Sequence, residues 1–184
     1  MSRLNIPPTV DTSPQASQAS LGAVSRSLGS VPNLFRLVGN SPSALKGYLG
    51  LSAAVGATTL DAQTQERIAL AVAEVNGCDY CLSAHTYLGR NVAKLDDAEI
   101  TANRNGSSND IHAAAAVRFA VQVARSRGHV ADADLAAVKA AGFTDAQVVE
   151  IVLAVALNTF TNYVNEVART EIDFPVVHAT RAAA

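Results

Sequence analysis

Two thiols and an imidazole fall within one short stretch, Cys78-Asp79-Tyr80-Cys81-Leu82-Ser83-Ala84-His85, and these are the only two cysteines in the chain. A spacing of three brings two sulfurs close, and at a helix's first turn they can reach disulfide range because Cys78 need not be helical. A bond in so small a ring is easily reduced, as redox-cycling bonds are. His85 follows Cys81 by four positions, one helical turn on along the same side, within reach as a base for the thiol proton. Cys78 lies seven positions from His85, so one imidazole does not face both sulfurs. The spacing therefore assigns Cys81 as the attacking sulfur and Cys78 as the resolving one. The run from Leu60 to Gly77 reads as a helix stopped by Asn76-Gly77. Cys78 then opens the next helix, where unsatisfied N–H groups and the macrodipole favour a thiolate.

An imidazole acting as a base needs an orienting carboxylate. Glu66 and Glu74 both lie on the preceding helix, and spacing alone does not choose between them. Glu66 shares a face with Ala69, Leu70 and Ala73, which favours partial burial and a proton-relay role; Glu74 reads better as a solvated charge. His112, His129 and His178 have no such neighbours and read as surface residues. Asn158, Asn162 and Asn165 make a polar stripe at helical spacing on an apolar helix. Buried amides need partners, and a structural pairing with backbone or another subunit is the favoured reading.

The elements around this stretch all read as helices. Of 184 residues, 49% are hydrophobic and 5% aromatic, which suits small-residue helices packed closely. Residues 1–20 are rich in Ser, Thr, Pro and Gln and read as a flexible arm; residues 21–184 read as one all-α domain. Ser41-Pro42 starts one helix, Asp61 caps another, and Thr144-Asp145-Ala146-Gln147 is a capping box opening the longest. That last helix, to about Arg169, is apolar nearly all round, a pattern of burial in the domain or in a subunit interface. A net charge of −2 without blocks of like charge points away from nucleic acid and anionic membranes. No apolar run is expected to span a bilayer, and without a secretory signal a cytoplasmic setting follows. Paired cysteines there are more often catalytic or metal-binding than structural.

Glu66, Cys78 twelve positions on, Cys81 and His85 together follow a pattern that resembles the alkylhydroperoxidase D-like proteins of the carboxymuconolactone decarboxylase superfamily. The resemblance runs from about Ser30 to Ala168 and takes in Val31-Pro32-Asn33-Leu34-Phe35 and Asn158-Thr159-Phe160-Thr161-Asn162-Tyr163. It implies an all-helical fold that assembles as trimers or hexamers. It also implies a hydroperoxide substrate, a peroxidatic Cys81, a resolving Cys78, a Glu66–His85 proton relay, and a dithiol or protein reductant. Founding members carry histidine directly before the second cysteine; Tyr80 stands there in this chain. That departure resembles the uncharacterised peroxidase-related branch and leaves the reductant open.

Other chemistries compete for the same residues. A disulfide oxidoreductase or redox sensor would use both cysteines without peroxide selectivity. A carboxymuconolactone decarboxylase-type enzyme would use His85 and Glu66 for proton transfer and leave the thiols idle. Zinc held by Cys78, Cys81, His85 and Glu66 would need one short helix to wrap an ion, whereas zinc sites usually draw on two separated segments. Leu82 follows the second cysteine where a haem-attachment motif requires histidine. No metal or cofactor is therefore expected.

Overall fold

The computed structural model describes residues 2–180, and among them every regular element is a helix. In chain order these are α1 (Gln15–Leu28), α2 (Asn33–Val38), α3 (Pro42–Gly56), α4 (Ala62–Asn76), α5 (Asp79–Asn91), α6 (Asp97–Arg104), α7 (Ile111–Ser126), α8 (Asp132–Ala140) and α9 (Asp145–Ala168). The expected end of the domain at 181–184 lies outside the described residues.

Local chemistry explains most of the helix starts. Ser41 Oγ accepts the Ala44 N–H and Pro42 occupies the first turn of α3. Asp61 Oδ1 accepts the Thr64 N–H at 2.7 Å to open α4. The Thr144–Gln147 capping box closes in both directions at α9. Each such cap satisfies helix-end donors that would otherwise be orphaned and contributes about 0.5–2 kcal/mol. Helix α1 begins at Gln15, inside the stretch assigned from composition to the arm. The segment before it is hydrogen-bonded to the body: Arg3 N–H reaches Ala168 O at 2.6 Å, and Asn5 O accepts from Asn40.

The central element is α4, which packs against α5, α6, α7 and α9. Its residues Ile68 to Ala73 are all buried, four of them completely inaccessible beside Ile68 itself. Burial of Ile68, Leu70 and Val72 contributes about 1.5–3 kcal/mol each. On one side of α4, Val72 joins Phe119, Val123, Ile151 and Val155 in the larger core. On the other, Ala73 joins Leu21, Leu45 and Leu82 in a core that also holds both cysteines.

Helix α9 bears on the expectation about membranes without overturning it. It has the length and the mean hydropathy, 1.3, of a bilayer-crossing helix. Asparagines and threonines interrupt its second half while the average stays high. Those same residues, Asn158, Thr161, Asn162 and Asn165, are buried against the other helices. Its opposite face is open: Val149, Val152, Tyr163 and Val167 are all exposed.

After α9 the chain returns over the start of α5. Val177 N–H donates to Ser83 Oγ at 2.9 Å, and Ala179 N–H to Asp79 Oδ1 at 2.8 Å. His178 is an exposed surface residue, as expected, but its Nδ1 meets Asp79 Oδ2 at 2.8 Å, a neighbour the sequence did not reveal. Phe174 sets its ring edge-on to Tyr80, with centroids 5.9 Å apart.

Candidate functional site

The turn between α4 and α5 is built by one glycine. Gly77 adopts φ +68°, which lets the Cys78 N–H fold back onto Ala73 O at 3.0 Å and close the end of α4. A side chain at this position would strain that left-handed backbone. Cys78 thereby becomes the N-cap of α5, its Sγ accepting the Cys81 N–H at 3.3 Å.

The two sulfurs lie 2.7 Å apart as free thiols, Cys78 donating to Cys81, and both are buried. They are not alike. Burial pushes the Cys81 thiol up, but the Cys78 hydrogen bond, the His85 charge and the Asn165 and Asn162 amides outweigh it and bring it down to about 7. Cys78 moves the other way: the proton it lends to Cys81, then its own burial, hold it far above the usual thiol range. The helix N-terminus thus points at Cys78, while the charge belongs to Cys81. This corrects the expectation that location at the helix start would decide acidity.

His85 Nδ1 meets Glu66 Oε1 at 2.7 Å, with both side chains largely buried. Burial works against a charged His85, yet Glu66 and the Cys81 sulfur hold its pKa above the ordinary value. The carboxylate and the sulfur therefore both favour the protonated imidazole. The structure therefore brings together Glu66, Cys78, Cys81 and His85. The other candidate carboxylate, Glu74, accepts from Arg104 Nε at 2.7 Å and from the Thr180 N–H, and so is not the solvated charge that was expected. Tyr80, before the second cysteine, is turned away into the core, where its hydroxyl accepts the Leu34 N–H at 3.1 Å.

The asparagine stripe divides. Asn158 pairs with its own helix, donating to Ala154 O at 2.9 Å, as a structural reading requires. Asn165 Nδ2 donates to Cys81 Sγ at 3.3 Å, a role the sequence reading did not give it. Asn162 Oδ1 accepts from Asn76 Nδ2 at 2.8 Å. The spacing at 158, 162 and 165 was the available signal; what it lacked was the identity of the helix facing it. Tyr48 also borders the site, on an aromatic line with Phe35 and Phe160, centroids 5.2 and 6.1 Å away. Burial, and after it the Cys81 charge, pushes its phenol up. Among the described residues no three His, Cys, Asp or Glu side chains are grouped to hold a metal ion.

Comparison with known proteins agrees with this architecture. Residues 42–125, from the start of α3 into α7, match the carboxymuconolactone decarboxylase family. No curated protein matches the sequence. An uncharacterized peroxidase-related protein from a Silicibacter species shares 22% identity at a TM-score of 0.80, covering 92% of this chain and 91% of that one. A second such protein, from Ralstonia eutropha and described as an alkylhydroperoxidase AhpD core, shares 22% at 0.82, covering 94% and 92%. The debrominase Bmp8, as a variant bound to 2,3,4-tribromopyrrole, shares 19% at 0.78, covering 94% of each chain. The matched segment contains Glu66, Cys78, Cys81 and His85, so the chain is similar to the carboxymuconolactone decarboxylase family over that segment and shares its fold with the alkylhydroperoxidase AhpD-like structures.

Proposed function

We propose that this chain is a thiol-dependent hydroperoxidase. The observation that carries the reading is the inequality of two sulfurs 2.7 Å apart, one poised to ionise near neutral pH and the other holding its proton. The Cys81 thiolate attacks the outer oxygen of a hydroperoxide; the S–O bond forms, the O–O bond breaks, and the leaving alkoxide takes a proton from His85. Cys78 then attacks the Cys81 sulfenic acid, giving up its proton as hydroxide leaves to make water, and a Cys78–Cys81 disulfide remains. A dithiol or protein reductant returns two electrons and two protons. Glu66 keeps His85 oriented and favours its protonated form before the transfer.

Trimeric or hexameric assembly is part of this proposal, and the open face of α9 at Val149, Val152, Tyr163 and Val167 supports it. A cytoplasmic location fits chemistry that cycles a dithiol. The likeness to a debrominase favours one second reading, in which the same two thiols supply two electrons to a carbon–halogen bond.

Brief peroxide treatment followed by mass spectrometry should yield the Cys78–Cys81 disulfide, and Cys81→Ser should reduce peroxide consumption to background. Unchanged consumption in Cys81→Ser would remove the peroxidase reading. Halide release from a halogenated aromatic, with no peroxide consumed, would favour the second one.

A further inference from the structure

We propose that Asn165, with Asn162 beside it, decides which sulfur of the pair carries the negative charge. Helix α5 by itself favours Cys78. Its first-turn N–H, from Cys81, points at Cys78 Sγ, and the positive end of the helix favours a thiolate at that place. The opposing pull comes from α9. Asn165 Nδ2 is 3.3 Å from Cys81 Sγ and both residues are buried, so the contact is shielded from bulk solvent. An amide N–H donates more strongly to a thiolate than to a neutral thiol, and more so where the surroundings are dry.

Asn162 is held in the matching orientation. Asn76 Nδ2 occupies its Oδ1 at 2.8 Å, which leaves Nδ2 as the free end of the amide. That Nδ2 is buried without a hydrogen-bond partner, and its electrostatic effect is to favour a lower pKa at Cys81. Asn76 also directly precedes Gly77, so the turn that places Cys78 sets the orientation of Asn162 as well. The charged and titratable groups around the pair are His85 and Tyr80 on α5, Glu66 on α4, Tyr48 on α3 and Glu166 on α9. His85 attracts charge to Cys81, and Glu166 disfavours charge on Cys78. Asn165 supplies the direct hydrogen bond to Cys81 that comes from outside its own helix.

The inference rests on reading Cys81 as the ionised member of the pair, and its test needs no peroxide. Each thiol is labelled with iodoacetamide across pH, and the two positions are resolved by peptide mass spectrometry. In Asn165→Ala, labelling of Cys81 at pH 7 should fall about tenfold, the loss of one hydrogen bond to a charged group, with the share on Cys78 rising. Asn165→Ser leaves nearly the same space but keeps a donor, and should retain several-fold faster Cys81 labelling than Asn165→Ala at equal stability. Equal labelling in the two variants, or a Cys81 profile unchanged from the parent protein, would overturn the proposal. Normal Cys81 labelling with no peroxide consumption would instead remove the peroxidase reading and leave this one standing.

Discussion

Glu66 and Arg67 are consecutive on α4, yet each opens a different kind of buried charge network. Arg67 Nε meets Glu99 Oε1 at 2.7 Å, and Glu99 also accepts from Asn103, Ser108 and the Asn109 N–H. Burial pushes the Glu99 carboxyl up, but this ring of donors outweighs it and holds it at about 2. Only Asn103 Oδ1 lacks a partner there. At Cys81 the donors and the His85 charge outweigh burial only far enough to leave the thiol at about 7, and nearby Asn162 Nδ2, Asn165 Oδ1 and Thr86 Oγ1 have no hydrogen-bond partners. A charge saturated with donors is fixed over the whole working pH range and acts as a clamp. A charge held near its midpoint can be gained or lost, which is what a reacting group needs.

The comparison breaks most sharply at Glu99. Glu99→Ala leaves Arg67 buried without its counter-ion and should lower unfolding stability by about 3–5 kcal/mol in denaturant titration. The Cys81 labelling midpoint of the folded protein should remain near 7. Glu66→Gln should do the reverse. With the carboxylate gone, His85 falls toward its ordinary value, Cys81 rises, and peroxide reaction at pH 7 drops about a hundredfold. Stability should change by no more than about 1 kcal/mol, since Glu66 and His85 are neighbours that Gln can still bridge.

Acidification separates the two networks without mutation. Labelling of Cys81 should fall about tenfold per pH unit below about 7 and level off above it, because only the thiolate reacts. Glu99 follows a different window. Its folded pKa is depressed from 4.5 to about 2, so its contribution is complete above about 4.5 and is lost as pH falls through about 2. A thiol midpoint and an acid-unfolding limb that coincide would contradict the distinction.

Much of this could be read in the residues themselves because it is local. Ser41, Asp61 and Thr144-Gln147 act within three positions, and Asn76-Gly77 sets its own turn. The Cys81–His85 alignment is likewise a property of one helix. What stayed hidden depends on partners far along the chain. The choice of Glu66 over Glu74 turns on Arg104 and Thr180, which engage Glu74 from 30 and 106 positions away. Asn165 reaches Cys81 across 84 positions, and no periodicity within α9 reveals what lies opposite. The early start of α1 was masked by glutamines and serines that resemble linker composition.

The strap over α5 has a bearing on biosynthesis. Asp79 emerges from the ribosome 99 positions before His178, its eventual cover, and Ser83 likewise precedes Val177 by 94. Chains fold largely from the N-terminal side as they are made. The hydrogen bonds that residues 177–179 make to Asp79 and Ser83 can therefore form only after the rest of the fold has been synthesised.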